Sequence, residues 1–279
     1  MAVVLITGAG KGIGLATALA FAGRGDRVYA GLRSLNNFPP ELDHPAIHPL
    51  KLEVTSESNI STAMEEMTAT FGLPDILINN AGINRPGTVE ETSQDIWQQV
   101  FQINFFAPVR LCQKLLPAMR QSGNGCIIML SSLSAEIGLP YDGPYAASKA
   151  ALNRAAECLA AEVKPFGIRI IVVEPGAVKT SLNNHPQDIK NPLPDYRLLN
   201  DHMQDKISQP PRGDDPRLIA TEILQIADNK NAPLIYPIGQ QARDITGIIK
   251  QASAMEREEI IRDASGLSWW INQEHKIKQ

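Results

Sequence analysis

Cysteine is scarce in this chain. Cys112, Cys126 and Cys158 are odd in number and show no Cys-x-x-Cys spacing, which excludes a disulfide framework or a cysteine zinc site. All three read as reduced, buried, small apolar residues in a reducing compartment. The histidines, His44, His48, His185, His202 and His275, form no zinc-type pattern, so no metal site is expected. Positive charge is not in excess either. Lys and Arg number 26 against 30 Asp and Glu, a net charge of −4, and without a basic footprint nucleic acid is not an expected partner. No apolar run reaches membrane-spanning length, and no cationic region precedes the first apolar stretch. No membrane span and a cytoplasmic location are therefore expected. Internal repeats and linkers are absent too. The composition that remains, 43% hydrophobic and 20% charged, is ordinary for a globular chain. At 279 residues it suffices for one large α/β domain or two small ones.

Short apolar runs alternate with helical patterns. Seven runs read as strands: 2–6, 27–31, 50–54, 75–78, 126–130, 168–173 and 234–238. Continuous rather than alternating apolar character marks strands buried on both faces. Leu15 to Arg24 carries a helical stripe, as do Ile60, Met64, Met67 and Phe71. Residues 36–49 are polar and proline-rich and read as a loop. Ser93 caps the longest helical pattern, which runs to Arg120 and in which Pro108 predicts a kink or local irregularity. Strand and helix alternating throughout predicts a seven-stranded parallel sheet, doubly wound, with helices on both faces. Its ligand crevice lies outside the carboxyl ends of the strands.

The first strand runs directly into Gly8-Ala9-Gly10-Lys11-Gly12-Ile13-Gly14 and then a helix. Strand, glycine turn and helix is the context of a pyrophosphate-binding loop, in which the backbone approaches the ligand and the helix end supplies N–H groups. A tight structural turn is the plainer alternative. In dinucleotide-binding units an acid near the end of the second strand holds the ribose 2′-hydroxyl, whereas an arginine accommodates a 2′-phosphate. Here the strand ends Gly31-Leu32-Arg33-Ser34 with no acid. Arg33, together with Lys11, therefore points to NADP(H) over NAD(H); solvated surface charge is the alternative. Asn79-Asn80-Ala81-Gly82 ends the fourth strand with a small-residue turn. Asn104 stands one turn before Pro108 among Phe101, Ile103 and Phe105, where it either satisfies the disturbed helix backbone or takes part in a proton relay.

The stretch from Gly125 to Lys149 carries the chemistry. An apolar run ends at Ser131-Ser132, a loop follows, and Tyr145-Ala146-Ala147-Ser148-Lys149 opens a helix. Tyr145 and Lys149 share a helix face at i and i+4. A phenol ionises near about 10, and a neighbouring ammonium favours the phenolate. Lys149 is thus expected to lower the pKa of Tyr145 and make it a general acid/base, with the Ser132 hydroxyl reaching the same oxygen. The helix continues to about Lys164 with a face of alanines that packs against the sheet or another subunit.

Residues 181–215 change character, with Pro186, Pro192, Pro194, Pro210 and Pro211 and little periodicity. A loop of this length reads as a substrate lid whose prolines prevent a long regular helix; Leu182 and Leu193 are the residues expected to meet substrate. Residues 1–240 form the expected domain, lid included. Residues 241–279 read as a charged, helical C-terminal extension packed on it, with Trp269 and Trp270 holding it down.

Taken together, TGAGKGIG (Thr7–Gly14), NNAG (Asn79–Gly82), Asn104, Ser132 thirteen positions before Tyr145, YAASK and PGAVKT (Pro175–Thr180) resemble the short-chain dehydrogenase/reductase family over roughly residues 2–240. The resemblance implies a single Rossmann-type domain and hydride transfer between NAD(P)(H) and a carbonyl or alcohol. It implies Asn104, Ser132, Tyr145 and Lys149 as catalytic residues. For the cofactor it implies Gly8, Lys11, Gly12, Ile13, Gly14, Arg33, Glu53, Val54, Asn80, Ala81, Gly82, Tyr145, Lys149, Pro175, Gly176, Val178 and Thr180, the last two at the nicotinamide amide. Glu53-Val54 departs from the usual Asp-Val at the adenine, and the longer carboxylate shifts that contact. The Lys11 and Leu32-Arg33 pattern is similar to that of NADPH-preferring hydroxysteroid and retinol dehydrogenases. The expected substrate is a small, fairly apolar carbonyl or alcohol, and the expected assembly a homodimer or homotetramer. A cofactor-binding regulator with little turnover, a structural subunit of a larger enzyme, and an isomerase or epimerase on the same fold are the alternatives.

Overall fold

A computed structural model describes residues 1–36, 38–183 and 192–272. Among these residues seven strands and ten α-helices run in the order β1 (Val3–Thr7), α1 (Gly12–Gly23), β2 (Arg27–Leu32), β3 (Ile47–Lys51), α2 (Glu57–Thr70), β4 (Ile76–Asn79), α3 (Gln94–Phe101), α4 (Ala107–Ser122), β5 (Gly125–Leu130), α5 (Gly143–Val163), β6 (Ile168–Pro175), α6 (Arg197–Ser208), α7 (Pro216–Asp228), β7 (Ile235–Ile238), α8 (Gln240–Gln251), α9 (Ala254–Ser265) and α10 (Ser268–Ile271). The strands form one sheet in the order β3-β2-β1-β4-β5-β6-β7, parallel throughout. The order reverses between β1 and β4, so the crevice predicted by such a topology lies beyond Thr7 and Asn79.

Alternation along each strand divides the core into two layers. Val4 and Ile6 face one side with Ile78, Ile128 and Val173, packed against Ala18 and Phe21 of α1 and Ile219 and Ile223 of α7. Leu5, Leu77, Ile127 and Val172 face the other, against Ile60 and Met67 of α2, Leu111 and Leu115 of α4 and Leu152 of α5. Every one of these residues is at most 1% exposed. Each such burial stabilises the fold by roughly 1.5–3 kcal/mol before entropy is set against it.

The third strand begins at Ile47, three residues earlier than expected, and takes in Pro49, which pairs with Ala30. A proline tolerates this place because β3 lies at the edge of the sheet, where one row of N–H groups has no ladder partner. Pro237 occupies the same situation in β7 at the other edge, opposite Glu174.

The pattern from Ser93 to Arg120 is interrupted. Ser93 caps α3, accepting the Ile96 N–H at 3.4 Å. A wider, π-type turn over Gln102–Phe106 separates α3 from α4. Pro108 has no N–H to return to the Asn104 carbonyl, and its ring crowds that carbonyl. The wider turn relieves the clash and sets Asn104 at a single-turn irregularity of the kind found at functional sites.

Within the expected lid, residues 184–191 with Pro186 lie outside the described residues, as do His185 and His275. A helix of twelve residues, α6, forms between the prolines, with Pro194 opening the turn that precedes it and Pro210 beyond its end. Prolines bound this helix rather than break it. Cys158 is exposed on α5, contrary to the expectation for all three cysteines, because a helix packed on one side of a sheet turns its opposite face outward. Cys112 and Cys126 are buried, and burial pushes their thiols up to about 12 and about 11. No helix among the described residues is long and apolar enough to cross a membrane, and none of their His, Cys, Asp and Glu residues cluster as a metal site.

Candidate active site

The glycine turn after β1 is shaped by close approach. Gly8 and Gly12 have φ of 66° and 58°, a region costly for any residue with a Cβ. At Gly14 a Cβ would fall 2.4 Å from both the Gly8 carbonyl oxygen and Asn80 Nδ2. Asn80 is the staple of this turn, its Nδ2 donating to the carbonyls of Thr7 (2.8 Å) and Gly8 (3.1 Å). Thr180 abuts the turn from the other side, its Cγ2 3.1 Å from the place of a Gly12 Cβ. Asn80, Ala81 and Thr180, distant in sequence, thus meet the glycines at the carboxyl ends of β1, β4 and β6. Val178 turns its side chain to the α1 side of the core. Ala177 donates its N–H to Gln241 Oε1 at 3.0 Å, so Pro175–Gly176 is braced by the first residues after β7.

Three predicted residues stand apart. Lys11 and Arg33 are exposed. Glu53 folds its carboxylate back on Thr55, accepting the N–H (3.2 Å) and hydroxyl (2.9 Å), while Val54 is buried in the core layer beside α2. Ile13 packs on the α1 side of the core.

Tyr145 and Lys149 begin α5 and are both buried. Ser132, just beyond the end of β5, lies near enough to the Tyr145 hydroxyl to draw its pKa down and accepts the Ser134 N–H at 3.1 Å. Lys149 Nζ lies 5.7 Å from the centre of the Tyr145 ring and donates to the Leu130 carbonyl at 2.5 Å. The expectation that Lys149 lowers the Tyr145 pKa is corrected. Burial pushes the phenol above its ordinary range, the Asp142 carboxylate pushes the same way, and only the Ser132 hydroxyl opposes them. Burial also pulls the Lys149 ammonium down to about 8. Loss of solvent around each group sets the direction of both shifts. The phenol is thereby held as a proton donor.

Asn104 is fully buried, and its amide is satisfied elsewhere than on the disturbed helix. It exchanges hydrogen bonds with the backbone N–H and carbonyl of Ile83, both 2.9 Å, and donates to Ser148 Oγ at 3.0 Å. Ser148 donates to the Tyr145 carbonyl at 2.7 Å. A Cβ on Gly82 would lie 3.4 Å from Asn104 Oδ1 and 3.7 Å from Lys149 Nζ, so the glycine keeps open the space between the two.

Several neighbours were not foreseen. Asp142 stands at the start of α5 without capping it; its carboxylate accepts from Asn84 Nδ2 (2.5 Å) and Ser134 Oγ (3.2 Å). Asn84 also donates to Asn183 Oδ1 at 3.1 Å, joining the loop after β4 to the segment after β6. Tyr141 has φ of 77°, the one positive value at a non-glycine residue described, a strain of roughly 1–3 kcal/mol. Its only sequence sign is its place in a short run of Gly and Pro ahead of Tyr145. Below the site, Ser131 donates to Asn153 Oδ1 and Asn153 Nδ2 to Glu174 Oε1, each at 2.6 Å. Glu174 is 0% exposed. The C-terminal helices reach this region: Arg257 donates to the Glu136 carbonyl, and Lys206 of α6 donates to the Ser265 carbonyl at 2.9 Å. Trp269 meets His202 with ring centres 5.4 Å apart, and Trp270 meets Tyr196 at 6.1 Å.

Comparison with known proteins gives a consistent result. The family model described as short chain dehydrogenase matches residues 2–190. A 3-ketodihydrosphingosine reductase from Bacteroides thetaiotaomicron is 32% identical over 240 residues, covering 85% of this chain and 87% of the relative. Dehydrogenase/reductase SDR family member 7B from Xenopus tropicalis is 36% identical over 193 residues, covering 65% of this chain but only 62% of the relative's length. Among solved structures, a short-chain dehydrogenase from Streptomyces avermitilis superposes with a TM-score of 0.78 at 32% identity over 98% of both chains. One from Burkholderia cenocepacia in complex with NADP gives 0.74 at 25% identity over 95% of this chain and 97% of that one.

Proposed function

The chain belongs to the short-chain dehydrogenase family of oxidoreductases, and from that membership we propose that it transfers a hydride between NADP(H) and the carbonyl or secondary alcohol of a small, fairly apolar substrate. The observation that carries this reading is the meeting of Ser132, Tyr145 and Lys149 at the carboxyl ends of β5 and α5's first turns, beside the glycine turn after β1.

The crowding at Gly8, Gly12 and Gly14 fits a backbone surface made for a pyrophosphate. Gly8, Gly12, Gly14, Asn80, Ala81 and Thr180 would hold the cofactor, with Lys149 on its ribose. When bound, its nicotinamide supplies or accepts the hydride. The chain's own residues then manage the substrate oxygen. Negative charge develops there during reduction, and the hydroxyls of Ser132 and Tyr145 stabilise it by hydrogen bonding. Tyr145 gives its proton to that oxygen. Lys149, held by the Leu130 carbonyl, supplies positive charge beside the phenol as the proton leaves.

Preference for NADP(H) is supported by the missing acid at the end of β2, by exposed Lys11 and Arg33, and by the NADP named in the Burkholderia structure. A carbonyl substrate is supported by the name of the Bacteroides relative. The small residues of α5, with Ala147, Ala150, Ala151 and Ala155 only half-buried, support association with a second copy.

The test is a panel of ketones and secondary alcohols followed by nicotinamide absorbance with each cofactor. Carbonyl-dependent oxidation of NADPH, faster than that of NADH, is expected. No turnover with any substrate and either cofactor would overturn the reading.

A further inference from the structure

Three remote stretches wall a recess on the approach to α5. Pro140 and Tyr141 form one side, Tyr196 and Leu199 the other, and Thr88–Glu90 the floor of a depression of about 410 Å³ that is open to solvent. Apart from the polar tips of Thr88, Glu90 and the two tyrosines, the lining side chains are apolar. Tyr141 stands four residues before Tyr145, so one wall continues into the helix that bears the phenol.

One carboxylate joins the three stretches. Glu91 accepts the Thr88 hydroxyl at 2.6 Å, the Leu193 N–H at 2.9 Å and Asn200 Nδ2 at 3.1 Å. Asn200 in turn accepts the Tyr141 hydroxyl at 3.0 Å. The strained backbone of Tyr141 is therefore held at its hydroxyl by the lid side and at its carbonyl by the Gly87 N–H, 2.9 Å away. Glu90 repeats the arrangement at the rim, accepting the Tyr196 hydroxyl at 2.9 Å. Among the described residues no cation pairs with Glu91; its partners are neutral donors, Thr88 on the floor and Leu193 and Asn200 on one wall, and Asn200 carries the link to Tyr141 on the other. A carboxylate accepting several such bonds is an acceptor that no neutral side chain reproduces.

We propose that this recess takes the apolar chain or ring of the carbonyl substrate and that Glu91 is the positioning residue that holds its two walls together. The inference rests on the carbonyl oxidoreductase reading above. A long apolar substituent needs both walls, whereas a short one needs only the hydroxyls of Ser132 and Tyr145. Glu91 thereby governs discrimination between substrates rather than the hydride transfer itself.

The experiment compares the full chain with Glu91→Gln and Glu91→Ala, using 2-octanone and 2-butanone as probes with NADPH. Glutamine keeps the size but turns an NH₂ toward groups that already donate, so it survives as a probe if the alanine variant fails to fold. The ratio of kcat/KM for 2-octanone to that for 2-butanone is expected to fall ten-fold or more, and amide exchange at Leu193 to quicken by a similar factor. An unchanged ratio, or unchanged exchange at Leu193, overturns the inference. Calorimetric binding of 2-octanone separates it from the wider reading. If wild-type protein turns over neither ketone, the oxidoreductase reading is what suffers. A Kd weakened ten-fold by Glu91→Gln still supports the recess, and an equal Kd, or no saturable binding to wild type, overturns it.

Discussion

The Thr7 hydroxyl oxygen accepts two backbone N–H groups from a strand end that lies more than seventy residues away in sequence: Asn80 at 3.0 Å and Ala81 at 2.9 Å. One side chain at the end of β1 therefore fixes the turn after β4, and Asn80 returns the favour by stapling the glycine turn. Thr7→Val keeps the shape and strands two N–H groups. A loss of about 1–3 kcal/mol in stability is expected, together with weaker NADPH binding, because the glycine turn loses its support. Thermal unfolding and a fluorescence titration of the cofactor check the two effects; an unaltered Kd would mean the turn holds its shape without Thr7.

Tyr145→Phe removes the phenol and keeps the ring. Turnover should fall by about 10²–10⁴-fold, the usual worth of a positioned acid or base, with NADPH binding close to wild type. Single-turnover kinetics separate the two quantities, and retention of most activity would refute the assignment.

Arg33→Asp takes away a cation and supplies a carboxylate at the end of β2. The ratio of kcat/KM for NADPH to that for NADH should drop by ten-fold or more. Arg33 is exposed, so an unchanged ratio would show that it faces solvent in the complex as well.

Glu174 gives a prediction in pH. Burial pushes its pKa up from 4.5 to about 7, a hydrogen bond from Asn153 and the charge of Lys250 oppose the rise, and the facing Glu136 carboxyl adds to it. Its Oε2 is buried without a donor among the described residues, which favours the neutral acid. The folded state thus binds this proton more tightly than the unfolded chain does. The stability it brings is complete below about pH 4.5 and is lost as pH rises through about 7. Its full size is on the order of 3 kcal/mol. Glu174→Gln, whose amide donates without titrating, should melt increasingly above wild type between pH 5 and 7.5. A melting-temperature difference that stays flat with pH would place the titration elsewhere.

Much of this architecture was legible in the sequence, for physical reasons that also mark where legibility ends. Strands buried on both faces leave apolar runs, so 126–130 stood out, and 168–173 did so with only Arg169 breaking it. The irregularity around Asn104 was readable because Pro108 lacks an N–H. By contrast, the start of β3 was hidden by Pro49, since only the edge position of that strand makes a proline acceptable. Among site residues, Tyr145, Lys149 and Ser132 could be found because a helix spacing and a strand end relate them locally. Asp142, Tyr141 and Glu91 acquire their roles from partners 58, 59 and 109 residues away, and no local pattern records such pairings. The sign of the Tyr145 shift was missed for a related reason: the spacing reveals the charge beside the phenol, but not the burial that outweighs it.

The two prolines at the sheet's margins have a wider consequence. A strand from another molecule adds to a sheet through an unbroken row of outward N–H and carbonyl groups. Pro49 and Pro237 interrupt that row on the first and last strands alike. Both margins are therefore poor templates for cross-strand recruitment, whether by a second copy or by an aggregating segment. Growth of the seven-stranded sheet is thereby disfavoured on either side.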